Sequence, residues 1–138
     1  MRFLIVDDAE KPLKVLRALL TAAGHEVVGT ARNGSDAVEA YARLRPDVLV
    51  MDIIMPRMNG LDALRAIRTA HPEARVVMSS SLQSCQTALE AERLGALYCL
   101  AKPYDAERVR RVIEEIGRHC AKLPRPPAAA RPRSRATA

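Results

Sequence analysis

Four apolar runs in this chain end on side chains that can do chemistry. Val48-Leu49-Val50-Met51 stops at a carboxylate, Asp52, and three apolar residues later come Pro56 and Asn59-Gly60. Phe3 to Val6 runs into Asp7-Asp8, Val76-Val77-Met78 into Ser79-Ser80-Ser81, and Leu97 to Ala101 into Lys102-Pro103. Continuous apolar runs of this length suit strands buried on both faces of a parallel sheet. The carboxyl edge of such a sheet is where ligands bind. Alone, Asp52 reads equally well as a loop cap; the convergence of the four ends sets it apart. Three carboxylates brought together repel, which raises a pKa or recruits a cation. Hard oxygen donors favour Mg²⁺, which prefers one or two carboxylates plus a phosphate. Lys102 offers a point charge to a phosphoryl or carboxylate oxygen, and a serine hydroxyl can donate to another. A carboxylate can attack as a nucleophile and form an acyl phosphate, and phosphoryl transfer needs mainly positioning and charge neutralisation. The set therefore suits Asp52 as phosphoacceptor, Asp7 and Asp8 as metal ligands, and Lys102 and Ser80 as phosphoryl contacts. Ser80 is preferred because strand alternation sends the side chains of Ser79 and Ser81 to the other face.

The elements that must hold these residues alternate along the chain. After the strand Phe3–Val6, Leu13, Leu16, Leu19 and Leu20 have helical spacing within 11–23, with Gly24 as a stop and Pro12 in the first turn. A second strand over 26–30 leads to a turn at Asn33-Gly34, with Ser35 as N-cap of a helix through Leu44. The strand ending at Asp52 follows, then a helix carrying Leu61, Leu64 and Ile67 up to His71-Pro72. A strand over 75–79, a helix over 84–94 stopped by Gly95, and a strand over 97–101 come next. The last helix runs from Asp105 to about Cys120, with Val109, Val112, Ile113 and Ile116 on one face. Five strands interleaved with five helices imply an α/β fold, a doubly wound parallel sheet with helices on both faces. The flavodoxin-like order 2-1-3-4-5 is the natural one for five such units. It places strands one, three and four side by side.

Composition bounds the class. At 138 residues, 49% of them hydrophobic, the chain forms one domain with a core that needs no disulfide or metal. Trp is absent, so Leu, Val, Ile, Ala and Met must fill that core. No apolar run spans a bilayer, and Asp7-Asp8 interrupt the start before a signal segment could form. Cys85, Cys99 and Cys120 are odd in number and lack metal-ligand spacing, which fits a reduced, cytoplasmic protein. The net charge of +6 sits mostly in the tail, where Arg125, Arg131, Arg133 and Arg135 meet no acid. Expected, then, are a folded domain over 1–121 and a disordered Pro/Ala/Arg-rich tail over 122–138. That tail reads as a solvated extension or linker, or as a weak electrostatic anchor without nucleic-acid specificity.

The ordered set resembles the response-regulator receiver domains of bacterial two-component signalling, of the single-domain chemotaxis type. The signs are Ile5-Val6-Asp7-Asp8, Met51-Asp52-Ile53-Ile54-Met55-Pro56 through Asn59-Gly60, Ser80 after Val76-Val77-Met78, Gly95-Ala96, and Lys102-Pro103-Tyr104. They span residues 1 to about 120. The resemblance implies that Asp52 takes a phosphoryl group from a sensor histidine kinase or phosphotransfer protein. It implies Mg²⁺ held by Asp8, by Asp7 directly or through water, by Asp52 and by the Ile54 backbone carbonyl. It also implies a cis Lys102-Pro103 bond, output by contact with another protein, and Ile54 and Leu82 flanking the path of hydrolytic water. One departure stands out: the aromatic switch position three residues before Lys102 holds Cys99, with Tyr98 pointing to the opposite face.

Other readings compete. A small Mg²⁺-dependent phosphohydrolase with an aspartyl intermediate fits the acids, but the chain lacks inserted loops and a second acid to protonate a leaving group. A flavin binder is disfavoured by the two acids of the first strand-to-helix loop, which repel a phosphate. The chain can also be the receiver piece of a larger regulator. His25 and His71 sit beside turns and read as solvated, and Met51, Met55 and Met58 as packing residues.

Overall fold

The structure, a computed structural model, describes residues 1–81 and 85–122; Leu82 and the tail beyond Lys122 lie outside them. The ten elements alternate as β1 (Arg2–Val6), α1 (Glu10–Ala22), β2 (Glu26–Ala31), α2 (Gly34–Leu44), β3 (Val48–Asp52), α3 (Gly60–Ala70), β4 (Val76–Ser80), α4 (Cys85–Arg93), β5 (Tyr98–Ala101) and α5 (Ala106–Lys122). All strand pairs are parallel and the order is β2-β1-β3-β4-β5, as expected. The order follows from the apolar content of each strand. β3 has every residue buried because it lies between β1 and β4 with helices over both faces, and its sequence has no polar residue before Asp52.

Period-2 alternation in the strands separates two core layers. Phe3, Ile5, Val48, Val50, Val77 and Leu100 pack on one face against Leu13, Leu16 and Leu20 of α1 and Val109, Ile113 and Ile116 of α5. Leu4, Val6, Leu49, Met51, Val76 and Met78 pack on the other against α2, α3 and Ala91 of α4. Met51 and Met55 are buried and Met58 packs alongside them, as their packing role requires.

Three local readings are corrected. Asn33, and not Ser35, caps α2: its side chain accepts from the Asp36 N–H at 2.8 Å and its amide donates to the Asp36 carboxylate at 3.0 Å. Asn serves turns and caps with the same side-chain oxygen, so Asn33-Gly34 carries both signals. His25 and His71 are half-buried rather than solvated. His25 Nδ1 lies 2.9 Å from the Met1 amine and its ring meets Phe3 edge-on, while His71 tilts against the buried Tyr41.

The loop from β3 to α3 is closely packed against the end of β3. Asn59 caps α3 through the Asp62 N–H, and Gly60 donates to the Ile53 carbonyl at 2.6 Å. A side chain on Gly60 would fall 2.1 Å from the Asp52 carbonyl oxygen, so only glycine allows this approach. Arg57 in the same loop has φ 67°, in the left-handed region that disfavours a Cβ. That conformation costs an L residue about 1–2 kcal/mol, and glycine returns part of this through greater freedom when unfolded, about 0.4–1 kcal/mol. Arg57→Gly is therefore expected to stabilise the protein by up to about 1 kcal/mol, seen as a higher denaturation midpoint at unchanged slope.

Candidate functional site

The carboxyl edge of the sheet gathers the residues singled out above. β1 and β3 are neighbours in register, Val6 opposite Met51, so Asp7 and Asp52 leave the sheet side by side. Each continues the phase of Ile5 and Val50 and so emerges on the α1–α5 side. Lys102 follows β5 in the phase of Leu100, on that same side. Its ammonium donates to Asp7 Oδ2 at 2.8 Å and to Asp52 Oδ2 at 3.1 Å, joining positions 95 and 50 residues away. All three side chains are largely buried, with 11% of Lys102 accessible. Asp7 also accepts the Ala9 N–H at 2.9 Å, where α1 lacks a side-chain cap of its own.

The electrostatics of this trio are asymmetric. Burial pushes the Asp52 carboxyl above its ordinary range; the hydrogen bond and charge of Lys102 only partly offset this, and the neighbouring Asp7 charge adds to it. Burial alone would lower the Lys102 ammonium, but two carboxylates carry it above its usual value.

Oxygens of Asp7, Asp8 and Asp52 lie within 4.8 Å of one another, with Asp8 exposed and the other two buried. Three hard donors, carrying more negative charge than one lysine neutralises, suit a divalent oxygen-seeking cation such as Mg²⁺. Ile54, two residues beyond Asp52, is an apolar side chain that is 56% exposed.

The two serines are placed differently from the alternation argument. Ser79 is in register with Asp52 and in phase with Val77, on the α1–α5 face that Asp52 and Lys102 share. It is fully buried beside the Tyr104 phenol, which burial raises above its ordinary pKa. Ser80, the last residue of β4, pairs with Ala101, and its carbonyl accepts the Lys102 N–H at 2.9 Å. Alternation does separate the two hydroxyls, but the register decides which of them shares the face of Asp52. Tyr104 is the site neighbour that residue spacing alone missed; it follows Lys102-Pro103, whose peptide bond is cis. Tyr98 packs against the α1–α5 layer, while Cys99 lies opposite Met78 and lines a cavity of about 370 Å³ against α4 with Ala88, Leu89 and Glu92.

Comparison with known proteins agrees with this geometry. Residues 3–114 match the family model described as the response regulator receiver domain. The chain belongs to the response-regulator receiver family. It is 39% identical over 117 residues to the chemotaxis protein CheY of Thermotoga maritima, covering 85% of this chain and 98% of that one. It is 48% identical over 106 residues to a protein-glutamate methylesterase/protein-glutamine glutaminase of Geobacter metallireducens, of which those residues are only 30%. Among solved structures, CheY in the CheX–CheY–BeF3–Mg²⁺ complex of Borrelia burgdorferi has a TM-score of 0.80 at 30% identity, covering 85% of this chain and 89% of that one. The response regulator domain of Thermotoga maritima CheB gives 0.78 at 33%, covering 90% and 98%. The receiver is thus a signalling phosphoacceptor module of two-component systems rather than a turnover enzyme. No described helix is long and apolar enough to cross a membrane.

Proposed function

We propose that Asp52 accepts a phosphoryl group from the phosphohistidine of a sensor kinase or phosphotransfer protein, and that the phosphorylated receiver signals by contact with an output protein. The observation that carries the reading is the convergence of Lys102, Asp7 and Asp52 at one sheet edge beside the exposed Asp8. Asp7, Asp8 and Asp52, with the Ile54 carbonyl, would hold Mg²⁺. When bound, the cation supplies positive charge against the phosphoryl oxygens. Lys102 neutralises a further oxygen and orients the Asp52 carboxylate, and the largely buried edge excludes bulk water. A cytoplasmic location goes with the proposed kinase partner. Residues 1–121 form the signalling domain on this reading, and the basic tail from 122 adds at most weak electrostatic contacts.

The test is labelling of the intact chain by acetyl phosphate. One phosphoryl group per chain, dependent on Mg²⁺ and mapped to the peptide holding Asp52, is expected. Continuous turnover of phosphate esters without a stable label would favour the phosphohydrolase reading instead.

Two serines compete for the remaining phosphoryl contact. Ser80 is proposed because it matches the family position and ends β4, where the chain enters the following loop. Ser80→Ala is expected to slow labelling more than Ser79→Ala, which should act chiefly on stability because Ser79 is fully buried. The reverse order would move the role to Ser79.

The receiver also assists its own dephosphorylation on this reading, and Ile54 limits the rate. An exposed apolar side chain two residues beyond the phosphoacceptor can obstruct water but cannot orient it by hydrogen bonding. Ile54→Gln is expected to speed loss of the Asp52 phosphoryl group severalfold in a chase after donor removal. Unchanged decay would assign the barrier elsewhere.

A further inference from the structure

A groove of about 330 Å³ opens beside the phosphoacceptor, between Lys11, Pro12 and Val15 of α1 and Lys102, Pro103 and Tyr104 after β5. Two prolines, a valine and a tyrosine give it largely apolar walls. Helical period explains why Leu13, Leu16 and Leu20 are buried under α1, and it leaves Val15 on the flank, 38% exposed. The charged groups of the groove are both ammonium groups. Lys102, one wall of the groove, is the same residue that bonds Asp52, so the groove and the phosphoacceptor share that side chain. Its volume lies at the small end of ligand pockets, about 300 Å³. A fitting ligand has a short apolar body and an anionic head directed at Lys102.

We infer that this groove seats the leaving group of a small-molecule phosphoryl donor, an acyl phosphate whose acyl chain is longer than acetyl. The inference rests on Asp52 as phosphoacceptor and adds a donor class to it. An Asp52 carboxylate oxygen bonds to phosphorus as the bond from phosphorus to the acyl oxygen breaks. The electron pair leaves with that oxygen as a free carboxylate, so neither a proton donor nor a redox partner is needed. Pro12, Val15, Pro103 and Tyr104 contact the chain, and Lys11 offers a countercharge to the departing carboxylate. Contacts with the chain hold donor and transition state alike, so they act on KM more than on kcat.

The experiment compares initial labelling rates of the intact chain in excess Mg²⁺ with acetyl, propionyl and butyryl phosphate, whose leaving carboxylates are similar in basicity, and with phosphoramidate, which has no acyl group. For the parent, kcat/KM is expected to rise by up to about fourfold per added methylene, mainly through KM. Val15→Trp fills the groove and is expected to flatten the series when each rate is taken relative to the same variant's phosphoramidate rate. A flat series in the parent, or a full gradient surviving in Val15→Trp, overturns the inference. If the groove serves an imidazole leaving group instead, phosphoimidazole is slowed by Val15→Trp while chain length has no effect, which also overturns it. The phosphoramidate arm separates the two failures. Label at Asp52 without a chain-length gradient removes only the groove, whereas no label at Asp52 removes the phosphoacceptor reading itself.

Discussion

Asp52→Asn is expected to abolish phosphoryl labelling while leaving the receiver folded and, in the absence of metal, more stable than the parent. The loss of labelling follows from chemistry, because an amide oxygen is too weak a nucleophile to attack phosphorus and no second carboxylate takes its place between Asp7 and Lys102. The gain in stability follows from burial, which holds the Asp52 carboxyl above its ordinary value despite the Lys102 ammonium. A group whose folded-state value lies above its unfolded one contributes stability below the unfolded value. That contribution is lost as the pH climbs through the folded value. Once ionised, Asp52 is therefore a net burden on the metal-free fold, and a neutral amide of the same shape relieves it. Functional residues replaced in this way commonly return about 1 kcal/mol. Calorimetry without Mg²⁺ should show the variant melting higher than the parent, with the difference widening as the pH rises from the ordinary carboxyl range through the raised folded-state value of Asp52. Label retained by the variant would remove Asp52 from its role, and a difference that narrows with pH would overturn the electrostatic account.

Most of the architecture was legible because each strand is an uninterrupted apolar run and each helix has its own period. Val48 to Met51 can only be central, and the order of the sheet follows once its neighbours are equally apolar. The positions of Asp7, Asp52 and Lys102 were legible for a related reason: each is the first charged residue after such a run, so a parallel sheet must bring them to one edge. What failed was whatever depends on register or on a choice between equivalent local signals. Alternation separates Ser79 from Ser80, but only the pairing of Ser79 with Asp52 shows which of them shares the face of Lys102. Asn33-Gly34 satisfies the rules for a turn and for a helix cap, and the Asp36 amide decides between them. Tyr104 beside Ser79 depends on how the chain turns after β5, which no periodicity encodes. The left-handed Arg57 is equally silent, since nothing in the spacing of Met55-Pro56-Arg57-Met58 marks the third residue as the strained one.

Lys102→Met is expected to separate the two tasks that one ammonium performs, holding the metal-free site together and neutralising the incoming phosphoryl group. Methionine keeps the length of the chain and removes the charge, leaving Asp7 and Asp52 facing each other with little solvent between them. Removing one partner of a buried pair costs about 3–5 kcal/mol, whereas an exposed pair such as Lys14–Glu10 contributes about 0–1 kcal/mol. The metal-free variant should therefore lose several kcal/mol. Excess Mg²⁺ should restore much of it, because the same carboxylates are then free to take a cation, and binding to the folded state alone stabilises it. Mg²⁺ affinity measured by calorimetric titration should rise above that of the parent, since a competing cation has gone. Labelling by acetyl phosphate should nevertheless fall by about 10²–10³, the range seen when a donor to a developing oxyanion is removed. The pH dependence follows from the raised value of Lys102. Its contribution is complete below the unfolded-state value and disappears as the pH rises through the folded one, so parent and variant should converge only in strongly alkaline solution. Weaker Mg²⁺ binding in the variant would mean that Lys102 helps to assemble the carboxylates instead of competing for them. Near-parental labelling would show that the phosphoryl group is neutralised without it.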